Sequence, residues 1–113
     1  MANFPSNRST ATTNGTSASA TPVINLPATV SAGDTLFVLV RCAVGGAVGW
    51  PDATWTELFD SSPDGSDDQM AAAWKRAVGT EGGTTITLSS TSGKFTGYAA
   101  AVLDAADPTV VPP

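Results

Sequence analysis

Five consecutive residues offer enough oxygen atoms to hold a metal ion. They are Asp64-Gly65-Ser66-Asp67-Asp68, and calcium in proteins is bound by carboxylate and other oxygen ligands. The run lacks the ligand spacing and the closing glutamate of an EF-hand loop. A solvated acidic turn is therefore the interpretation that the sequence favours, and we expect no metal here.

Two further segments carry part of a catalytic or binding pattern. Asp52 and Glu57 could act as paired carboxylates on a glycosidic bond, but nothing in the sequence fixes their separation. The glycine-rich run Gly45-Gly46-Ala47-Val48-Gly49 lacks the Lys-Ser/Thr ending of a phosphate-binding loop. Neither segment predicts an active site.

The chain has no histidine, which removes the commonest general base, the Ser-His-Asp triad and most zinc sites. Serine and threonine are plentiful, yet an activated nucleophile needs a base beside it. Cys42 is the only cysteine, and its place in an apolar run predicts a buried, inert thiol. We therefore expect no enzyme activity, no catalytic residue, no metal and no cofactor.

Length and charge limit the number of domains and the kinds of partner that this protein can have. The 113 residues fit one domain. The net charge is −5 with only five basic side chains, which argues against direct nucleic-acid binding. The longest apolar runs, Leu36–Val40 and Tyr98–Leu103, are too short to cross a bilayer, and the N-terminus does not look like a signal peptide.

Composition predicts an all-β fold. Thr, Val, Gly and Pro are frequent, and turn-forming residues separate short apolar segments. We predict a two-sheet antiparallel β-sandwich of about seven to nine strands, jelly-roll-like or immunoglobulin-like. Residues 1–16 would be an N-terminal arm or edge strand, residues 17–107 the sandwich, and residues 108–113 a Pro-rich tail or linker. The predicted strands are Ser17–Leu26, Thr35–Ala43, Trp55–Ser61, Thr84–Ser89 and Lys94–Asp104.

One segment is ambiguous. Gln69–Val78 contains the best helix formers in the chain, but it also satisfies a period of two and lies between predicted strands. We interpret it as a strand. The predicted core residues are Phe37, Leu39, Trp55, Leu58, Trp74, Ile86, Leu88 and Leu103.

Two aromatic residues are candidates for ligand binding. Trp50 lies beside Pro51 after the glycine-rich run, and Tyr98 lies in the last predicted strand. Exposed rings on one face of a β-sandwich could stack on a sugar. Trp50 and Tyr98 together would therefore form a carbohydrate-binding surface, if their rings are coplanar and exposed.

Short motifs recur in a familiar order along the chain. They are Gly33-Asp34 before an apolar strand, a Trp50-Pro51 to Trp55 corner, Trp74-Lys75-Arg76-Ala77-x-Gly79-x-Glu81, and a final strand ending near Asp107-Pro108. Over residues 18–113 this arrangement resembles a repeated β-sandwich domain of virion structural proteins in tailed bacteriophages, described as tail, fibre or head-decoration proteins. The family often has Gly before the corner tryptophan, where this chain has Thr54, so the corner turn can differ.

The resemblance implies a non-enzymatic virion structural protein. It would attach to the capsid or tail as a decoration, spike or fibre-base subunit, after synthesis in the host cytoplasm. The implied partners are other virion proteins and further copies of the chain, in a homo-oligomer such as a trimer. The alternative is a carbohydrate-binding β-sandwich module on a phage or bacterial surface protein, with a host surface glycan as its ligand. Neither reading includes nucleic acid or membrane as a partner.

Overall fold

The computed structural model describes residues 6–15, 21–44, 47–61, 69–89 and 92–103. All regular secondary structure in these ranges is β. The seven strands are β1 (Ser6–Asn14), β2 (Val23–Asn25), β3 (Thr35–Val44), β4 (Thr56–Ser61), β5 (Gln69–Arg76), β6 (Thr85–Thr87) and β7 (Ser92–Leu103). No described segment forms a helix long and apolar enough to cross a membrane.

The strands form two antiparallel sheets, which confirms the predicted all-β sandwich class. The larger sheet has the order β1-β7-β3-β5-β4, and the smaller sheet pairs β2 with β6. The long apolar strand β3 lies at the centre of the larger sheet, between β7 and β5. Residues 6–14, for which the sequence left an arm or an edge strand open, form the edge strand β1 against β7.

The core lies between the two sheets. Side chains from alternate positions of the larger sheet meet Ile24, Leu26 and Leu88 from the smaller layer. The larger sheet contributes small and branched side chains, namely Leu36, Val38, Val40, Cys42, Ala71, Ala73, Ala99 and Ala101, and Ala77 joins them from just after β5. Alanine lets the layers approach closely, and Cys42 is buried in this layer as expected. We call this side of the larger sheet the inner face.

The ambiguous segment is a strand. Gln69–Arg76 forms β5, paired with β3 on one side and β4 on the other. Ala71 and Ala73 are fully buried on its inner face. Tertiary packing between two neighbouring strands therefore overrides the helix propensity of the alanine run.

Four of the predicted core residues need correction. Leu39 is 38% exposed, and Phe37 and Trp74 are half-buried on the side of the sheet away from the core. The prediction chose the wrong face of β3, because both faces of that strand are apolar. Leu58 is also 38% exposed, since a register shift between Glu57 and Phe59 breaks the alternation of β4.

The other core predictions fare differently. Trp55 and Leu88 belong to the core cluster, and Ile86 is half-buried against it. Leu103 ends β7, and its side chain lies outside the described residues.

The two strands of the smaller sheet, β2 and β6, are shorter than predicted. Pro22 and Pro27 flank β2, and a proline cannot donate to a strand ladder, which explains why β2 spans only Val23–Asn25.

Candidate functional site

The structure does not bring the two predicted ligand-binding aromatics together. Trp50 packs half-buried against the core cluster, and its ring stacks on that of Trp55 with 6.1 Å between centroids. Tyr98 is 42% exposed and is the register partner of Leu39 on β3. Both side chains lie on the face of the larger sheet that points away from the core, whereas Trp50 packs against the core. These two residues therefore do not form the coplanar sugar platform that the sequence suggested.

Trp50 belongs to a small cluster at the rim of the core. Its indole Nε1 donates to Glu57 Oε1 at 3.1 Å. The Lys75 ammonium lies 5.9 Å from the centroid of the Trp55 ring, within the range of a cation–π contact. Trp50, Trp55 and Lys75 therefore form one contact cluster. This cluster stabilises the segment from Trp50 to Trp55, which leads into β4.

Glu81 closes the turn after β5. Its carboxylate accepts hydrogen bonds from the N–H groups of Val78 and Gly79, both at 2.9 Å, and pairs with Lys75 Nζ at 3.1 Å. Burial by itself raises the pKa of Glu81, but these N–H donors and the ammonium outweigh it and lower the pKa to about 2. Gly79 takes a positive φ of 108° in this turn, a conformation that favours glycine. The Trp-Lys-Arg-Ala-x-Gly-x-Glu motif therefore has a structural explanation.

Asp34 explains the Gly-Asp motif in the same way. The Asp34 side chain is buried, accepts a hydrogen bond from Ser31 N–H at 2.9 Å, and pairs with Arg8 of β1. Gly33 beside it has a φ of 88°, as a tight turn before β3 requires. The motif fixes the edge strand β1 to the start of the central strand.

The candidate catalytic carboxylates are also occupied by structural contacts. Asp52 accepts hydrogen bonds from the hydroxyl and the N–H of Thr54, which lower its pKa. Glu57 is the acceptor for Trp50. The acidic run 64–68 and residues 45–46 of the glycine-rich run lie outside the described residues. Within the described ranges, no group of three or more metal-ligating side chains is placed to hold an ion.

The most distinctive surface is the side of the larger sheet that faces away from the core. We call it the outer face. Strand register aligns its side chains in rows across all five strands. The central row is Thr12, Tyr98, Leu39, Ala72 and Phe59, and the next row is Thr10, Ala100, Phe37, Trp74 and Thr56.

Three large apolar side chains of the central row are exposed. Leu39, Tyr98 and Phe59 have exposed fractions of 38%, 42% and 44%. Ala72 between Leu39 and Phe59 is nearly covered, so the surface is low at that point and higher on both sides. Contiguous exposed apolar patches mark interaction sites in soluble proteins when they are large, so we take this face as the candidate binding surface.

A shallow depression lies at one end of the outer face. It has a volume of about 340 Å³ and is lined by Leu39, Arg41, Met70, Thr96, Gly97 and Tyr98. The lining combines apolar side chains with one guanidinium and carries no carboxylate. The lining therefore offers apolar contacts, one phenol and one guanidinium to whatever binds there.

Sequence reasoning found Tyr98 but missed the surface around it. The signal was present in β3, where Phe37 and Leu39 alternate with the buried Leu36, Val38 and Val40. A strand that is apolar on both faces predicts a second covered face, and the described residues place nothing over the outer one. Comparison of the chain with family models, curated proteins and solved structures gives no match.

Proposed function

We propose that this protein is a non-enzymatic structural subunit of a tailed-bacteriophage particle. It attaches to the capsid or tail as a decoration, spike or fibre-base subunit. The observation that supports this most is the outer face, where Leu39, Phe59 and Tyr98 are exposed on the five-stranded sheet. A subunit that binds a fixed neighbour needs such a preformed surface, and an enzyme needs catalytic groups instead.

The motifs behind the resemblance add support of a second kind. Asp34 fixes β1, and Glu81 closes the turn after β5 with Lys75 as its partner. In the part of the chain that the structure describes, the charged side chains of these two motifs make contacts that stabilise the fold. Motifs whose side chains stabilise the fold are what we expect of a family of proteins that share a structural domain and no common enzymatic reaction.

Immunogold electron microscopy tests the proposal. Particles from a culture that carries the gene are purified and labelled with an antibody raised against this domain. A culture in which the gene is deleted provides matched control particles. We expect regular gold on heads or on tails of the first sample and none on the second, which would also identify the location.

Bare particles would overturn the proposal if the same antibody detects the protein in the soluble fraction of the culture. Labelling that is equal on particles with and without the gene would show non-specific adsorption and would count against it as well.

A further inference from the structure

The strand β1 forms one edge of the larger sheet, and its register with β7 shows which of its backbone groups point outward. Just after β1, the N–H of Gly15 donates to the carbonyl of Phe95 at 2.9 Å. The register with β7 is unbroken over Ser9–Asn14, and backbone groups of an antiparallel strand point alternately to its two sides. The N–H and C=O groups of Ala11 and Thr13 therefore point towards β7, as those of Gly15 do.

The free edge of β1 presents the backbone groups of the residues in between. They are Thr10, Thr12 and Asn14, and all three residues are exposed. No strand among the described residues pairs with this side of β1. Their N–H donors and C=O acceptors thus have no strand partner in the part of the chain that the structure describes. Such an edge is a template for the pairing of a further strand.

The other sides of β1 are held in place within the chain. Thr13 Oγ1 accepts the N–H of Asn25 at 2.9 Å, and Ser9 Oγ accepts the N–H of Thr29 at 3.3 Å. Arg8, the one charged residue of β1, is held by its ion pair at the start of the central strand. An edge strand that is already ordered loses less conformational freedom when it pairs, which lowers the cost of binding.

The opposite edge of the larger sheet has features that prevent such pairing. A register shift between Glu57 and Phe59 interrupts the spacing of β4. Glu57 and Asp60 also place two carboxylates on this short strand. Bulges and charged side chains are the devices that keep edge strands apart. The stretch Ser9–Asn14 of β1, by contrast, contains no charged residue and no proline, and its register is regular.

We propose that β1 pairs with β1 of a second copy, so that the two larger sheets join edge to edge in a symmetric dimer. The two strands run antiparallel, and the two-fold axis passes beside Thr12. Thr12 then faces Thr12 of the second copy, and Thr10 faces Asn14 of the second copy. In this register every outward residue donates its N–H and accepts at its C=O across the axis. The dimer is independent of the proposed function, because it depends on β1 alone.

The residues of β1 favour a second copy as the occupant of this edge. Uncharged threonine and asparagine side chains lie opposite one another in the proposed register, and threonine pairs across antiparallel strands are favourable. Arg8 lies beyond the paired stretch Thr10–Asn14, so no like charges face each other. Both free edges are used in the contact, which closes the assembly at two copies.

Sedimentation velocity of the full chain over a concentration range of about a hundredfold tests for this dimer. Contact through one strand on each side buries a small area, and small interfaces are weak. We therefore expect the sedimentation coefficient to rise with concentration from the value of a monomer towards that of a dimer.

Two substitutions at the proposed axis test the register. Thr12→Pro removes the N–H donor at the axis in both copies, and the fold should tolerate it because this N–H is not part of the ladder with β7. Thr12→Lys keeps the N–H and places two ammonium groups opposite each other. We expect Thr12→Pro to weaken association by about tenfold or more, since two hydrogen bonds are lost, and Thr12→Lys to weaken it as well.

Thr56→Lys is the matched control for these variants. Thr56 is exposed on the opposite edge strand, and the substitution changes the net charge as Thr12→Lys does. Association of this control should stay within about twofold of the unaltered protein, because exposed positions away from an interface contribute little. Circular dichroism and thermal melting confirm that each variant is folded.

Hydrogen exchange of single amides gives a second measurement. The amides of Thr10, Thr12 and Asn14 should become more protected as the protein concentration rises. Those of Ala11 and Thr13 should be protected at every concentration, because they donate to β7. An alternating response along one strand is specific to pairing at its edge.

A monomer at every concentration would overturn this inference. A dimer that both Thr12 variants form as strongly as Thr56→Lys would overturn it too, since another surface would then join the two copies. Protection of the outward amides in the monomer would show that the chain itself covers this edge, and would also contradict the proposal. Labelling of particles by immunogold does not depend on any of these results, so failure of this inference and failure of the proposed function are distinguishable.

Discussion

Arg8 and Asp34 join the edge strand β1 to the turn before the central strand by two parallel hydrogen bonds. Arg8 Nε donates to Asp34 Oδ2 at 2.6 Å, and its terminal nitrogen donates to Oδ1 at 3.2 Å. Asp34 also accepts the N–H of Ser31. One buried carboxylate therefore joins β1 to the turn before β3 and also closes that turn, since bidentate arginine pairs fix geometry as well as charge.

Removing this carboxylate should loosen the edge of the sheet. We expect Asp34→Ala to lower the free energy of unfolding by about 2 kcal/mol, because a buried acceptor for a charged and a backbone donor is lost. Urea denaturation measures this loss, and hydrogen exchange should show β1 amides opening first. Asp52→Ala is the control, because the Asp52 side chain is exposed and accepts its hydrogen bonds from Thr54, two residues away. Equal stability of the Asp34 and Asp52 variants would contradict this role.

The turn carboxylate Glu81 should make stability depend on acid. Its folded-state pKa of about 2 lies below the ordinary value of 4.5. A lowered folded pKa stabilises the protein above the unfolded value, and this contribution is lost as the pH falls from about 4.5 towards 2. We expect Glu81→Gln to be less stable than the unaltered protein at pH 7 and to approach it in stability near pH 2.

The companion variant for this experiment is Lys75→Met, which removes the ammonium and keeps the two N–H donors. The Glu81 pKa of this variant should lie above that of the unaltered protein, so its stability should fall by less in acid, and the fall should end at a higher pH. Thermal melts at half-unit pH steps measure both profiles. A constant stability difference between Glu81→Gln and the unaltered protein across the whole range would show that Glu81 does not titrate in this way.

Gly97 is required because the smaller sheet lies directly over it. A Cβ added to Gly97 would lie 2.7 Å from Cδ1 and 3.2 Å from Cγ2 of Ile24, which is fully buried. We expect Gly97→Ala to cost about 1–3 kcal/mol through overpacking. Urea denaturation of the variant measures this cost.

A double-mutant cycle separates this clash from other effects of the substitution. Valine lacks the Cδ1 atom that Gly97→Ala would strike, so Ile24→Val should recover part of the loss. The double variant should therefore be more stable than the sum of the two single costs predicts. Strict additivity would indicate that Gly97 matters for another reason, such as its backbone conformation.

The sequence allowed the class of fold to be predicted, and its limits have a physical cause. The predicted last strand, Lys94–Asp104, corresponds to β7, and turn residues separated the predicted strands. Alternation could not orient β3, because Phe37 and Leu39 are as apolar as Val38 and Val40 on the opposite face. The face of β3 that meets the smaller sheet is set together with its pairing to β5 and β7. These strands are distant in sequence, so the local pattern does not contain this information.

The candidate site was harder to predict for the same reason. The row of Tyr98, Leu39 and Phe59 comes from three strands that are distant in sequence, and only their register brings them side by side. The prediction that Trp50 binds a sugar did not take Trp55 into account. The ring of Trp55 stacks on the ring of Trp50, which packs against the core. Exposure of a loop aromatic depends on such a neighbour, and no local pattern reports it.

The orientation of β3 can be tested by introducing threonine at two adjacent positions, Val38 and Leu39. Val38→Thr puts a hydroxyl into the inner layer, where Val38 is 1% exposed, and we expect a loss of about 1–3 kcal/mol. Leu39→Thr changes an exposed position on a strand that favours β-branched residues, so its cost should stay within about 0.5 kcal/mol. Urea denaturation compares the two directly. A larger cost for Leu39→Thr than for Val38→Thr would reverse the inner and outer faces of the sheet. The outer face would then be part of the core, and Leu39, Phe59 and Tyr98 could not form a binding surface.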